Sequence, residues 1–269
     1  MLKDITFGQY FESNSIIHRL DPRTKILLLV VIIVFIFVSQ NAIALSFVAL
    51  FIILSILLSK VPFKMYLKNL KAVLPIIIFT MIINLFYNAS GEVLLSFWKL
   101  TITTGSLYRA LYMAARILLL IIVSAELTYT TTPNDLTDAI ENLFSPLRFI
   151  GLKNAVHTLA MMMTIALRFI PTLIEETQKI MNAQKARGAD LENGKLIDRI
   201  KALIPILIPL LISSVRRAYE LAEAMECRCY NGGEGRQRMK QLKYAANDFA
   251  AFVITFVLGI GVIFINIIF

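Results

Sequence analysis

The fold is decided by residues 26–58, ILLLVVIIVFIFVSQNAIALSFVALFIILSILL, a stretch that contains no charged side chain. A first apolar run covers 26–38, the polar letters SQN follow at 39–41, and a second apolar run covers 42–58. A helix that crosses the hydrocarbon core of a bilayer needs about 20 mostly apolar residues. The stretch therefore predicts two membrane-spanning helices joined by a short polar turn.

The rest of the chain is apolar enough for three further spans. Suitable runs cover 72–87, 107–127 and 250–269. Hydrophobic residues make up 58% of the chain and charged residues 17%, against roughly 45–50% and about 25% in soluble domains. This composition excludes an ordinary cytosolic enzyme. We expect an all-α integral membrane protein with about five transmembrane helices plus three long helices on the cytoplasmic side.

Basic residues are concentrated in two of the segments that flank the spans. They are Lys3, Arg19, Arg23 and Lys25 before the first span, and Lys60, Lys64, Lys68 and Lys71 after the second. Because lysine and arginine collect on the cytoplasmic side of membrane proteins, we assign the net charge of +9 to the inner membrane face and not to a nucleic-acid partner. A cytoplasmic N-terminus and five spans place the C-terminus outside.

Four segments follow from this arrangement. Residues 1–25 form a cytoplasmic N-terminal segment, 26–130 hold four spans, 131–247 hold the helices on the cytoplasmic side, and 248–269 form the final span. Within 131–247, the apolar stretches 155–174 and 202–214 are interrupted by charges or prolines. They are either parts of amphipathic helices along the inner membrane surface or two further spans.

Three helices are expected within 131–247. The first begins with Thr132 as N-cap and Pro133 at the first helical position. The second covers about 154–187 and stops at Gly188, and the third covers about 196–228.

The second and third of these helices end alike. One ends with Ala186, Arg187 and Gly188, and the other with Cys227, Arg228 and Cys229, so small residues flank one arginine in both. A cation at a helix C-terminus complements the helix dipole by about 0.3–1 kcal/mol, which is the plainer explanation. An unobstructed guanidinium can also pair bidentately with a carboxylate in a pocket of a partner. The repetition on two long helices favours docking to two similar partner subunits.

Two sequence motifs and the paired arginine ends match the pattern of a known family. The N-terminal segment 15–25 reads SIIHRLDPRTK, and the tripeptide TTP at 131–133 precedes a second group of matching residues. That group consists of Leu136, Leu143, Ser145, Pro146 and Leu147. With the paired arginine ends, the chain resembles the transmembrane T component of bacterial energy-coupling factor transporters.

The resemblance implies a role in ATP-driven uptake of vitamins or other micronutrients across the bacterial cell membrane. The tips carrying Arg187 and Arg228 would each dock into a groove of one of two ATP-binding cassette ATPase subunits. The long helices would hold a substrate-specific membrane protein, the S component. Cys227 and Cys229 stand where the family commonly has Ala and Gly. Both are small, so we expect docking to persist, and the role of the thiols stays open.

Other polar groups offer alternatives from different functional classes. Asp135 and Asp138 have the D-x-x-D spacing of some metal-dependent membrane transferases, which would make the chain a membrane-embedded enzyme. Arg116 and Glu126 fall within the expected fourth span, where ionisable residues are functional candidates by default. A self-contained secondary transporter would carry its own polar site near the membrane midplane, and the spans have few such polar groups.

Other features of the sequence argue against catalysis by this chain. No G-x-x-x-x-G-K-[ST] phosphate-binding loop occurs in the sequence, so we expect a non-catalytic subunit that receives work from partner ATPases. Cys227 and Cys229 are half of a metal site at most, and His18 and His157 are far apart in sequence. No cofactor and no metal is expected.

Overall fold

A computed structural model describes residues 10–87, 93–97, 100–145, 153–189, 196–231 and 242–268. The helices are α1 (Pro22–Val38), α2 (Ala42–Ser59), α3 (Phe63–Tyr87), α4 (Thr104–Thr130), α5 (Pro133–Leu143), α6 (Lys153–Ala186), α7 (Leu196–Glu226) and α8 (Ala246–Ile268). The expected all-α membrane fold is confirmed. Between the third and fourth expected spans, strands β1 (Val93–Phe97) and β2 (Leu100–Thr103) pair in antiparallel orientation.

Six helices in the described part of the chain are long and apolar enough to cross a membrane, judged by length and composition. They are α2, α3, α4, α6, α7 and α8. The first expected span corresponds to α1, which has 17 residues and is slightly shorter than the other candidates. Both α6 and α7 meet the same criterion as the spans, so their length suits either of the two arrangements expected for them.

The described residues within Gly8–Ala139 and Gln241–Phe269 form one compact unit, the bundle unit. Its core is built from α1, α2, α4 and α8, and includes Ile36, Val48, Val123 and Val262. Gly259 allows α8 to approach α1 closely, because an added Cβ would lie 2.4 Å from the Phe35 ring. Small residues serve the same purpose in other membrane helix interfaces.

The third expected span begins earlier than its apolar run. Helix α3 starts at Phe63, so Lys64, Lys68 and Lys71 lie on a helix and not in a loop. Pro62 precedes the helix, and no glycine or further proline occurs before Pro75. Lysine, leucine and methionine are good helix formers, which explains why the helix extends into the basic segment.

The basic N-terminal segment is fixed to two other parts of the bundle unit. Asp21 accepts a hydrogen bond from the Arg23 amide as the N-cap of α1, and its own amide donates to Asp248 Oδ1 at 2.8 Å. Lys25 Nζ donates to the backbone oxygen of Thr130 at 2.7 Å. The start of α1, the end of α4 and the start of α8 therefore lie at one end of the bundle.

The opposite end of the bundle unit is also joined by polar contacts. Arg116 Nη2 donates to the backbone oxygen of Ser39 at 2.6 Å, and the Tyr112 hydroxyl donates to the same oxygen. Asn266 Nδ2 donates to the backbone oxygen of Val38 at 2.9 Å, and its Oδ1 accepts from the Gln40 amide at 3.3 Å. The turn between α1 and α2 and the end of α8 thus share one end.

The described residues within Ile140–Lys240 form a second compact unit, the helix-pair unit, in which α6 packs against α7. Both helices contain internal prolines, Pro171 in α6 and Pro205 and Pro209 in α7. Prolines are tolerated within membrane helices where neighbouring groups form hydrogen bonds to the backbone carbonyl groups that the proline leaves without a partner.

Candidate coupling site at two helix ends

Helix α6 ends in a capped turn around Arg187, the first of the two candidate docking arginines. Gly188 has a φ of 86°, which is the left-handed region. Its amide donates to the backbone oxygen of Lys185 at 3.0 Å, and the Ala189 amide donates to that of Gln184 at 3.0 Å. These two bonds define a Schellman cap, which satisfies the last carbonyl groups of the helix. Arg187 is the residue immediately before the left-handed position.

Helix α7 ends in the same capped turn. Cys229 has a φ of 56°, and its amide donates to the backbone oxygen of Glu226 at 2.8 Å. The Tyr230 amide donates to the backbone oxygen of Met225 at 3.1 Å. Cys229 therefore occupies the position of Gly188, and Arg228 occupies the position of Arg187.

The two ends also match in exposure, residue by residue. Over 183–189 and 224–230, only Gln184 and Ala189 at the α6 end, and Met225 and Tyr230 at the α7 end, are half-buried. The two arginines and the small residues that flank them are exposed at both ends. Each tip thus presents its guanidinium between side chains too small to obstruct it.

The charges around the two arginines differ. The last two turns of α6 carry Lys179 and Lys185. At the matching positions, α7 carries Glu220 and Glu226. A carboxylate is unfavourable near a helix C-terminus, so α7 is not arranged to complement its own dipole. Dipole complementation therefore explains the α6 arginine better than Arg228.

The two arginine tips lie at opposite ends of the helix pair. Near the α6 tip, Gln184 Nε2 donates to the backbone oxygen of Pro205 at 3.4 Å. Near the α7 tip, the Tyr230 hydroxyl donates to Met161 Sδ at 2.9 Å. These contacts make α6 and α7 antiparallel. About 25 residues separate Pro205 from Tyr230, and at about 1.5 Å per residue the two ends are roughly 38 Å apart.

A polar cluster joins the middle of the pair. Glu176 of α6 accepts a hydrogen bond from the Ser213 hydroxyl and pairs with Arg217 Nη2 at 3.0 Å, both on α7. The Arg217 and Glu176 side chains are 37% and 22% exposed, so the ion pair is partly shielded from water. Because both carboxylate oxygens of Glu176 are used, this cluster fixes how the two helices cross.

Asp135 and Asp138 both lie on α5, near its start. The Asp135 amide donates to Thr132 Oγ1 at 3.2 Å, which confirms the expected N-cap. No group of three or more His, Cys, Asp or Glu residues within metal-binding reach occurs among the described residues.

Arg116 and Glu126 make structural contacts within the bundle unit. Arg116 binds the end of α1 as described above and lies 4.8 Å from the centre of the Tyr112 ring. Glu126 is 9% exposed and accepts a hydrogen bond from the Ser55 hydroxyl of α2. Both ionisable groups thus connect neighbouring helices.

Sequence reasoning missed two contacts that position the tips. One is the hydrogen bond from Tyr230 to Met161, and the other is the cluster around Glu176. The structure shows that Cys227 and Cys229 are exposed and that Cys229 has a left-handed conformation, which the sequence analysis does not predict. The matching glycine at Gly188 is the signal that would have revealed it.

Comparison with known proteins matches the chain to membrane proteins of transporters. A family model described as cobalt transport protein, CbiQ, matches residues 13–240. Two relatives carry the name energy-coupling factor transporter transmembrane protein EcfT. The protein from Ruminiclostridium cellulolyticum is 50% identical over 266 residues, which cover 99% of this chain and 96% of the relative. That from Bacillus subtilis is 39% identical, covering 99% of this chain and 100% of the relative.

Proposed function

This chain belongs to the CbiQ family of cobalt transport proteins, and we propose that it links two ATP-binding cassette ATPase subunits to a substrate-binding S component. In this role it is the non-catalytic transmembrane component of an energy-coupling factor transporter. The observation that carries the proposal is the pair of matched, exposed arginine tips on one antiparallel helix pair.

Each tip enters a groove of one ATPase subunit in this proposal. Arg187 is flanked by Ala186 and Gly188, and Arg228 by Cys227 and Cys229, so each guanidinium can reach a carboxylate in a pocket and bind it bidentately. A distance of roughly 38 Å between the tips suits two separate subunits better than a single groove.

The helix pair transmits the movement of the ATPase subunits to the membrane. ATP binding brings the two ATPase subunits together and moves the two tips with them. Because Glu176 holds α6 and α7 at a central crossing, a change at the tips alters the angle between the helices. That change reorients the S component or releases it. The S component selects the cargo, which we propose is a vitamin or another micronutrient.

The membrane arrangement is part of the same proposal. The N-terminus and both arginine tips are cytoplasmic, and the C-terminus is external. Helices α6 and α7 lie along the inner surface of the membrane, because both carry several charged residues in their C-terminal halves. Those in α6 are Glu175, Glu176, Lys179 and Lys185, and those in α7 are Arg216, Arg217, Glu220, Glu223 and Glu226.

The proposal is tested by removing the arginines singly and together. Arg187→Ala and Arg228→Ala each leave one groove carboxylate unpaired, at a cost of roughly 2–5 kcal/mol. We expect each single variant to reduce transport and weaken assembly. The double variant should largely lose copurification with the ATPase subunits when the complete transporter is expressed.

Arg216→Ala is the matched control, because its exposed side chain lies on α7 and pairs only with Glu220 one turn away among the described residues. Such an exposed pair contributes little, so this variant should assemble normally. A double Arg187, Arg228 variant that assembles and transports at the native rate would show that the tips do not couple the subunits.

A further inference from the structure

The basic residues at the start of α3 form a continuous stripe on one face of the helix. Lys64, Lys68 and Lys71 are spaced by four and three residues, and all three are exposed. Lys60, just before the helix, is exposed as well. Helix α3 contains no acidic residue, so no carboxylate on the same helix offsets these charges.

The opposite face of α3 is fixed against α4. Tyr66 is 4% exposed, and its ring meets that of Tyr129 edge to face at a centroid distance of 5.2 Å. The Tyr129 hydroxyl donates to the backbone oxygen of Met65 at 3.1 Å. Because Tyr66 lies nearly opposite Lys64 and Lys68 around the helix, this packing turns the lysine stripe outward.

The same stripe continues into an apolar surface. At helical spacing beyond Lys71, the exposed positions are Pro75, Ile78 and Ile82, with Phe79 and Phe86 beside them. Ile78 is 47% exposed, Phe79 64% and Ile82 48%. One outward face therefore presents cations over its first turns and apolar side chains over the turns that follow.

We propose that this face binds an anionic phospholipid, with its phosphate on Lys64, Lys68 and Lys71 and its acyl chains along Ile78, Phe79 and Ile82. The lysines extend over about 10 Å of helix, comparable to the depth of the headgroup region. The flexible aliphatic part of each lysine side chain can bend so that its ammonium group lies at the depth of the lipid headgroups. Clusters of lysines directly beside a membrane span attract anionic lipids.

A lipid fits this face better than a soluble anion. A free phosphate would use only the cations, whereas the exposed apolar residues directly below them match the tails of the same molecule. The proposal depends on the membrane location of α3 and not on the role of the arginine tips. It therefore stands or falls separately from the proposed coupling function.

The test measures lipid selectivity of the full-length chain. The chain is reconstituted in phosphatidylcholine with trace spin-labelled phosphatidylglycerol or phosphatidylcholine, and electron paramagnetic resonance gives the relative association constant of the two lipids at the protein surface. The wild-type chain should prefer phosphatidylglycerol. Joint Lys64→Gln, Lys68→Gln and Lys71→Gln substitution should lower that preference at least about fivefold, the effect expected from one basic residue at an anionic surface.

The control keeps the positive charge at the same positions, with Lys64→Arg, Lys68→Arg and Lys71→Arg, and should keep the wild-type preference. Circular dichroism of all variants checks that helix content is unchanged. Equal selectivity in the α3 variant and the wild-type chain would overturn the proposal. So would loss of the preference when inorganic phosphate replaces chloride at equal ionic strength, because that result identifies a general anion site.

Discussion

Gly188 and Cys229 are equivalent residues in two copies of the same helix cap. Each follows an exposed arginine, each has a positive φ, of 86° and 56° respectively, and each donates its amide to the carbonyl three residues earlier. A residue other than glycine in the left-handed region is less stable by roughly 1–2 kcal/mol. The α7 cap thus keeps its geometry although its left-handed residue is a cysteine.

The first prediction concerns this cysteine. Cys229→Gly should raise the free energy of unfolding by up to about 1 kcal/mol, because glycine removes the steric cost but adds backbone entropy to the unfolded chain. Cys229→Val should lower it. Thermal unfolding in detergent measures both. Transport by the Cys227→Ala, Cys229→Gly double variant should be nearly intact, and a strong loss of transport would show that the thiols have a function of their own.

The second prediction separates docking from helix-dipole complementation. Lysine keeps the charge of Arg187 or Arg228 but cannot reproduce the planar, bidentate fork. If the tips dock, Arg187→Lys and Arg228→Lys should restore little of the copurification lost in the alanine variants. If the arginines only complement helix dipoles, the alanine variants should keep an intact complex and lose little stability, and lysine should restore that stability fully. Pull-down of the ATPase subunits from membranes expressing each variant distinguishes these outcomes.

The third prediction concerns the junction between the N-terminal segment and α8. Asp248 is 1% exposed, and its two oxygens accept from the amides of Asp21 and Ala245 at 2.8 and 2.7 Å. Asp248→Asn replaces one acceptor by a donor that faces an N–H group. We expect a loss of about 1–3 kcal/mol in the free energy of unfolding. The exposed Glu220→Gln change is the control, and equal unfolding midpoints for the two variants would contradict the assigned role.

The fourth prediction is a pH dependence of the same N-terminal segment. His18 Nε2 donates to the backbone oxygen of Phe11 at 2.8 Å, so Nδ1 accepts from the Ser15 hydroxyl at 2.7 Å. Burial lowers the pKa of His18 below its usual value of 6.5, and the charge of Lys25 acts in the same direction. A histidine with a lowered pKa favours the folded state above its unfolded pKa, and this contribution is lost as the pH falls.

The unfolding temperature should therefore decrease as the pH falls from neutral to below 6.5. His18→Gln should remove part of that decrease. The chain has 2 histidines, so His157→Gln is the matched control. An identical pH profile for the wild-type chain and the His18 variant would mean that another group carries the dependence.

The fifth prediction tests the orientation of the chain. Gln40, in the turn between α1 and α2, is exposed and expected outside, whereas Cys227 and Cys229 are expected inside. An impermeant maleimide added to intact cells should label a Gln40→Cys variant and spare the native pair. Permeabilised cells lacking the ATPase subunits are the control for protection by a partner. Labelling of the native cysteines from outside would invert the proposed topology.

Composition and local sequence patterns were enough to assign the class of the protein and most of its helices. Uncharged runs such as 26–58 are sufficient for membrane helices, because the cost of burying charge in hydrocarbon is a local property of composition. The ends of α6 and α7 were predicted to within two residues, since Gly188 after α6 and Gly232 and Gly233 beyond α7 signal helix termination locally. The start of α3 was placed nine residues late, because hydropathy detects the apolar run and not the helix.

How these helices meet depends on contacts between residues that are distant in sequence. The sequence identified Arg187 and Arg228 as a pair but not that they lie at opposite ends of an antiparallel helix pair, which depends on contacts such as that of Gln184 with Pro205. Likewise, Asp21 binds Asp248 across 227 positions of the chain. Local patterns record propensity and hydropathy. A hydrogen bond between distant residues depends on the packing of whole helices, which no short stretch of sequence specifies.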